Sequence, residues 1–456
     1  MSRRNSKSSV GVLLIFSLFI VGAVYVYNSA MFERDVPKIT LQSNGYWNLK
    51  KPLKINIDDA NGIKLYRVIL ETSKEKIVLS HEQPLELSNE VEIKIASPRG
   101  AYVMKDKNVK IIVEATDSSK WNFLSGNSTV KKFDLIIDRK RPQLSSVAHS
   151  YKITKGGSAL VILKVFDDNL NDLYIETNYK KKFKLQPFYK EGYYISLVAW
   201  PVTEKNFKAT MVATDRAGNK AKSYIPFYLK QKNYRVSNIK LSDRFLKGKI
   251  AELAEDFAET QGINDSIEQF VMINENVREK NEILIHKITS KISDEMISDF
   301  KIKKMYPLRN AQVVASFGDH RKYSYQGNSI SESYHLGLDL ASNAQASIKP
   351  QNGGDIVYAD FNGLYGNMPI VDHGLGLFTL YGHCSSLSVN DGDFINAKSE
   401  IANTGASGYA MGDHLHFGVL VQGIEVRPAE WMDKKWIKLN ISDIIKSAKK
   451  IIDRDN

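Results

Sequence analysis

The chain has 456 residues, 43% hydrophobic and 25% charged, with 63 basic against 51 acidic side chains and a formal net charge of +12. Such a length exceeds a single hydrophobic core and predicts roughly two to four domains, and the composition is that of globular protein. The single cysteine, Cys384, excludes an intramolecular disulfide. The lysines are interleaved with acids and no nucleic-acid motif accompanies them, so the basic balance points to solvated faces or to an anionic membrane or wall polymer, not to nucleic acid.

Arg3, Arg4 and Lys7 precede an uncharged apolar run from Val10 to about Tyr27. At about 1.5 Å per residue that run approaches the hydrocarbon thickness of a bilayer. Tyr25 and Tyr27 fall where an interfacial aromatic belt belongs, and the basic residues ahead of the run predict an inside N-terminus with the remainder outside. The competing signal-peptide reading needs a small-x-small cleavage site, and Asn28-Ser29-Ala30 is a poor one. The expectation is a basic segment 1–9 followed by an uncleaved anchor at 10–27.

From about Pro37 to Leu229, short β-branched and aromatic runs alternate with Asn, Gly, Asp and Lys clusters, as in Val91–Ile95, Ile111–Ala115, Phe133–Ile137 and Ala159–Leu163. Runs at such spacing predict β-sandwiches. A weak repeat suggests two copies. Ala115-Thr116-Asp117, Gly126-Asn127 and a strand ending at Asp138 are echoed by Ala213-Thr214-Asp215, Gly218-Asn219 and a strand ending at Leu229. This resembles the last hairpin of immunoglobulin-like bacterial surface modules. Pro142 marks a linker, so the copies are expected at 36–140 and 141–230, each adding about 40 Å of reach if stacked end to end.

A helical segment is expected at 240–300. Phe245, Ile250, Leu253, Ala254 and Phe257 form one apolar stripe, and Ile267, Phe270, Val271, Asn274 and Val277 continue it. Gly262 ends the first helix, and Asn264 or Asp265 caps the second. A packed helical hairpin is the simple reading; a lid over a catalytic groove or a docking element is the functional one. Strand and glycine texture returns at 305–436, with turns such as Asn352-Gly353-Gly354, Tyr365-Gly366-Asn367 and His373-Gly374-Leu375-Gly376. An amphipathic basic helix is expected in 438–456. The fold class is therefore mainly β: a membrane helix, two sandwiches, a helical segment and a C-terminal antiparallel β domain.

Four of the nine histidines and one aspartate lie in three short motifs of that last domain. His335 and Asp339 form H-x-x-x-D, His383 ends Phe378-Thr379-Leu380-Tyr381-Gly382, and His414-Leu415-His416 forms H-x-H. Zinc accepts imidazole nitrogen and carboxylate oxygen, with three protein ligands and an open position in catalytic sites. H-x-x-x-D alone is weak, since a salt bridge explains it; Gly337 favours an extended or turning segment, and even spacing on a strand puts both side chains on one face. H-x-H is more specific: a strand points His414 and His416 to one face and sends Leu415 and Phe417 to the core.

Together these residues resemble the lysostaphin/LytM-type zinc metallopeptidases, which cleave peptide cross-bridges of bacterial peptidoglycan. The resemblance spans about Ser316 to Pro428. It includes Phe317-Gly318, His335-x-Gly337-x-Asp339, Tyr365-Gly366-Asn367, Asp372-His373-Gly374, Tyr381-Gly382-His383, Thr404-Gly405, Ser407-Gly408 and His414-Leu415-His416-Phe417, with Arg427-Pro428-Ala429-Glu430-Trp431 at its end. Carried onto this chain, it implies Zn2+ ligands at His335, Asp339 and His416 and catalytic imidazoles at His383 and His414. The chemistry agrees: zinc acidifies water, an unligated imidazole takes a proton, and positive charge stabilises an oxyanion.

Gly418 stands where the family often has Glu, and Cys384 stands where an aliphatic residue is usual; the thiol is expected buried and pointing away from the metal. His373 is expected to be structural, His320 has no role, and His81, His149 and His286 are expected at the surface. The implied protein is a single-pass inner-membrane peptidoglycan hydrolase facing the periplasm. Its partners would be wall cross-links and the membrane, with regulatory wall or division proteins in addition. The rival readings are an activator of other hydrolases, which predicts a lost ligand, and a non-catalytic wall-binding protein.

Overall fold

In the computed structural model residues 7–98, 100 and 106–455 are described. Arg3 and Arg4 of the basic N-terminal segment fall outside them. The apolar run forms the helix Lys7–Asn28. Its window Gly11–Asn28 has a mean hydropathy of 2.0, and none of it is buried against protein. It is the one helix among the described residues long and apolar enough to cross a bilayer.

The remainder is mainly β and divides into two compact units. The first comprises residues to Pro142, with Asn169–Asn171 and Thr214–Lys220. A three-stranded sheet (Lys38–Gln42, Leu53–Asp58, Glu90–Ile95) and a five-stranded sheet centred on Asn108–Asp117 share one core. Period-2 alternation builds it: Ile55, Ile57, Val68, Leu70, Ile111 and Val113 all point inward and are fully buried. The A-T-D/G-N repeat has a physical basis. Asn127 donates its backbone and side-chain N–H groups to the Asp117 carboxylate at 2.7 and 2.8 Å. Asn219 does the same to Asp215 at 2.7 and 2.8 Å. Each aspartate thereby closes its own strand-to-strand turn.

The second unit holds the rest of the chain. It contains two four-stranded sheets, one with Ser158–Phe166 beside Tyr193–Ala199 and one with Leu170–Thr177 beside Ala209–Asp215. The C-terminal helix Asp443–Arg454 buries Ile445, Ala448 and Ile452, and the preceding turn is tied down where Ser150 Oγ donates to Asn440 O at 3.0 Å. The 143–230 sandwich is bonded to the C-terminal β domain. Gln422 Nε2 donates to Lys184 O at 3.0 Å, and Ser158 N donates to Glu430 Oε2 at 3.1 Å. It therefore does not act as a free spacer for that domain.

An eight-stranded antiparallel sheet carries Asp339 and His416, and His335 ends a strand of a separate three-stranded sheet. The central strands of the larger sheet run in the order Leu338–Ala341, Leu415–Val421, Leu377–Gly382, Asn367–Asp372. The segment 243–289 forms short helices, with π-helical turns at Leu246–Ile250 and Ile273–Val277. Asp265 caps the helix Ser266–Met272, accepting from Ile267 N and Glu268 N. Phe270, Ile273, Val277 and Ile285 form one core with Leu364, Met368, Ile370, Phe378 and Leu420 of the sheet domain. The helical segment is thus an integral layer of the C-terminal domain.

Candidate metal centre and catalytic cleft

Strand register assembles the centre. Asp339 pairs with His416 across the strands Leu338–Ala341 and Leu415–Val421. On the other side of His416 lies Gly382, so His383 emerges beside it. Leu415 and Phe417 are fully buried, as the alternation at H-x-H predicts. His335 and Asp339 do not share a strand: of the extended and turning alternatives at Gly337, the chain takes the turn. His335 ends Asn328–His335, and the chain turns at Leu336-Gly337 before Asp339 enters its own strand. His383 follows the end of its strand with a left-handed backbone, φ +64°.

His335 Nε2 lies 2.9 Å from Asp339 Oδ1 and 3.1 Å from His416 Nδ1, and His416 Nδ1 lies 2.9 Å from the same oxygen. All three residues are buried. His335 Nδ1 faces the Ser316 carbonyl at 2.9 Å. A carbonyl can only accept, so the proton sits on Nδ1 and the Nε2 lone pair points at the trio. An imidazole lone pair, a second imidazole nitrogen and a carboxylate oxygen therefore converge on one point. This donor set fits a divalent cation of the zinc class. Burial acts to raise the Asp339 carboxyl, but the hydrogen bonds and charges of His335 and His416 overcome it and hold the group well below the usual carboxylate range. Burial lowers His416, against the pull of Asp339.

The other two imidazoles flank the trio. His383 and His414 have ring centroids 4.8 Å apart, and His383 lies 5.8 Å from His416. Each is fixed by a carbonyl: His383 Nδ1–H donates to Ser407 O at 2.9 Å and His414 Nδ1–H to Gly412 O at 2.8 Å. Both present an Nε2 acceptor to the cleft. Burial, then the neighbouring His416 and His414, push His383 down to about 3. His414 Nε2 stands 3.8 Å from Asp339 Oδ2. The cleft around these groups has a volume of about 600 Å³.

Outside the cluster, His373 is half-buried with Nδ1 on Gly353 O and Nε2 on Thr379 Oγ1, both at 2.8 Å. Cys384 is buried, and its thiol donates to Tyr381 O at 3.2 Å. His320 stacks on Tyr334 with centroids 4.4 Å apart. His286 is half-buried at the surface, and its Nε2 lies 2.7 Å from Glu425, joining the helical segment to the β domain. His149 is likewise half-buried, edge-on to Phe227 at 5.4 Å. Residues with no assigned role also prove to line the cleft. Tyr365 packs edge-on to His416 at 5.5 Å, and Asp413, which accepts from Thr404 Oγ1 at 2.6 Å, anchors the loop ahead of His414.

Two histidines and an aspartate with convergent ligand atoms, brought together from two neighbouring sheets and flanked by two anchored imidazoles, have the make-up of a metallopeptidase centre. Residues 333–428 match the model of peptidase family M23, and this part of the chain is an M23 domain of the LytM/lysostaphin type. The chain is 27% identical over 237 residues to an uncharacterized metalloprotease of Buchnera aphidicola, covering 48% of this chain and 62% of that protein. It is 30% identical over 129 residues to the peptidoglycan DD-endopeptidase ShyB of Vibrio cholerae, covering 28% and 29%. It is 31% identical over 98 residues to the murein hydrolase activator EnvC of Escherichia coli, covering 22% and 23%. The chain thus spans under two thirds of the first of these relatives and under a third of the others.

Proposed function

We propose that the protein is a zinc-dependent endopeptidase that hydrolyses peptide cross-links of bacterial peptidoglycan. The observation that carries this reading is the convergence of His335 Nε2, Asp339 Oδ1 and His416 Nδ1 beside two further imidazoles whose Nε2 atoms face the same cleft. His335, Asp339 and His416 hold the metal, which when bound supplies Lewis acidity towards a carbonyl oxygen and acidifies water.

The remaining roles belong to the chain's own groups. His383 and His414 each donate Nδ1–H to a backbone carbonyl, so each can take a proton only at Nε2. His414 Nε2 stands 3.8 Å from Asp339 Oδ2, at the open side of the metal-ligating trio. A proton on His383 would sit in a buried site between two other imidazoles, which opposes it. His414 is therefore the general base, and neutral His383 orients the attacking water or the substrate carbonyl. Tyr365, raised well above its usual range by burial, stays protonated and serves as a donor. The apolar span Gly11–Asn28 of the helix Lys7–Asn28 anchors the chain in the inner membrane with the remainder outside.

Digestion of purified peptidoglycan by the full chain, with analysis of the released peptides, tests this. Wild type should convert cross-linked dimers to monomers, whereas chelator-treated protein and His416→Ala should not. Identical products in all three samples would refute the reading.

A further inference from the structure

The cleft has a cationic wall that the five-residue centre does not explain. Lys240, Arg278 and Arg321 line it beside the histidines, and all three come from chain preceding the matched residues 333–428. Arg321 has Asp319 at 3.8 Å, and Asp319 is shared with the Ser237 hydroxyl. Arg278, half-buried, forms no ion pair among the described residues. The carboxylates of the same cleft are otherwise engaged: Asp339 lies between His335 and His416, and Asp413 accepts from Thr404 Oγ1 and Gln345 N.

A local backbone device holds Arg278 in place. In the π-helical turn Ile273–Val277, the Arg278 N–H bonds to Ile273 O and Glu275 O and bypasses Asn274 O. The arginine's own Nε takes that freed carbonyl at 3.0 Å, and Nη2 takes Asn274 Oδ1 at 3.0 Å. Asn274 is itself 1% exposed and donates to Ser331 Oγ at 2.9 Å. Two hydrogen bonds to a buried residue fix the guanidinium plane while leaving its remaining N–H groups unspent. A fixed, half-buried guanidinium with no carboxylate in ion-pair distance among the described residues (Glu282, one turn on, feels its charge from further away) is prepared for a planar anion, and π-turns recur at functional sites.

We infer that Arg278, supported by Arg321 and Lys240, forms a subsite for a free carboxylate of the peptide substrate next to the scissile bond. This rests on the peptidase reading and adds a selectivity: the enzyme should prefer peptides whose carboxyl groups are free over the same peptides carrying carboxamides.

The test uses the full chain in detergent and one cross-linked peptide dimer in two forms, carboxyls free and carboxyls amidated. Binding is measured by calorimetry on the His383→Ala, His414→Ala double variant, which blocks turnover, and cleavage on the chain bearing both histidines. The free-acid dimer should bind at least about tenfold more tightly than the amide, the scale of a hydrogen bond to a charged group. Adding Arg278→Gln should abolish that preference by weakening the acid form alone, and Arg278→Lys should restore part of it. Equal binding of the two forms, or equal weakening of both by Arg278→Gln, overturns the subsite. The comparison of the two dimers does not depend on any Arg278 variant folding. Preferential binding without cleavage would leave the subsite standing and refute the peptidase reading, whereas cleavage without preference would refute the subsite alone.

Discussion

Gly337 lies flat beneath the imidazole of His416: a Cβ at position 337 would overlap the ring atoms Cε1 and Nε2. The glycine between His335 and Asp339 is therefore required by packing as well as by the turn, and it sets where His416 Nδ1 points. Gly337→Ala should displace the ring and weaken zinc binding by about 10- to 100-fold, the range seen when a ligand's support is lost. Competition with a metal chelator measures this. Unchanged affinity would show that the ring has room to move.

The two flanking imidazoles should separate from the three proposed ligands in their effect on metal content. His414→Ala and His383→Ala should retain stoichiometric zinc while kcat falls by about 10²- to 10⁴-fold, the usual contribution of a positioned proton-transfer group. The larger loss is expected for His414. His335→Ala and His416→Ala should lose the metal together with the activity. Elemental analysis alongside peptide release distinguishes the two groups.

Glu430 provides a pH-dependent stability test away from the metal. Its carboxyl is buried at 4% exposure, accepts from Ser158 N, and is pushed up to about 7 mainly by burial. The folded state therefore binds this proton more tightly than the unfolded state, whose value is 4.5. The sign follows: the group's contribution is fully present below the unfolded value and is lost as pH rises through about 7, a change of about 3 kcal/mol at most. Glu430→Gln should remove that slope, so the variant's melting temperature should gain on wild type between pH 5 and pH 8. Parallel melting curves across that range would refute the assignment.

A fragment starting near residue 305 would be more active if the helical segment were a detachable lid. The shared core argues for the opposite result. Removing residues 241–289 bares Leu364, Met368, Ile370, Phe378 and Leu420, which are buried against Phe270, Ile273 and Val277. Each such side chain contributes about 2 kcal/mol of burial, so the fragment should aggregate or bind a hydrophobic dye. A soluble fragment with raised activity would restore the lid.

Cys384 should be inert in the native protein. Its thiol is fully buried and pushed up to about 12 by burial. At pH 8 an alkylating reagent should label it only after denaturation.

How far the sequence foretold this arrangement depended on how each feature is encoded. H-x-H on a strand was legible because period-2 alternation with buried Leu415 and Phe417 leaves one orientation. The grouping of His335, Asp339, His383, His414 and His416 was legible from motif order, and Gly337 left open the turn that separates His335 from Asp339, which even spacing alone could not decide. Arg278 was invisible, since a lone arginine on an amphipathic helix reads as solvated and a π-turn has no marker residue. Gln422 and Glu430, which bond the second sandwich to the β domain, gave no signal either, because their partners are backbone groups more than 200 residues away in the chain.

The protons of three imidazoles are set by the carbonyls of Ser316, Ser407 and Gly412. These acceptors are main-chain atoms, so no side-chain replacement at those three positions deletes them. The tautomers can be altered only by rerouting a loop. The proton arrangement of the centre is therefore robust to point mutation and vulnerable to insertion or deletion. Single-residue insertions after Ser316, Ser407 or Gly412 should damage the centre more than any substitution of those residues.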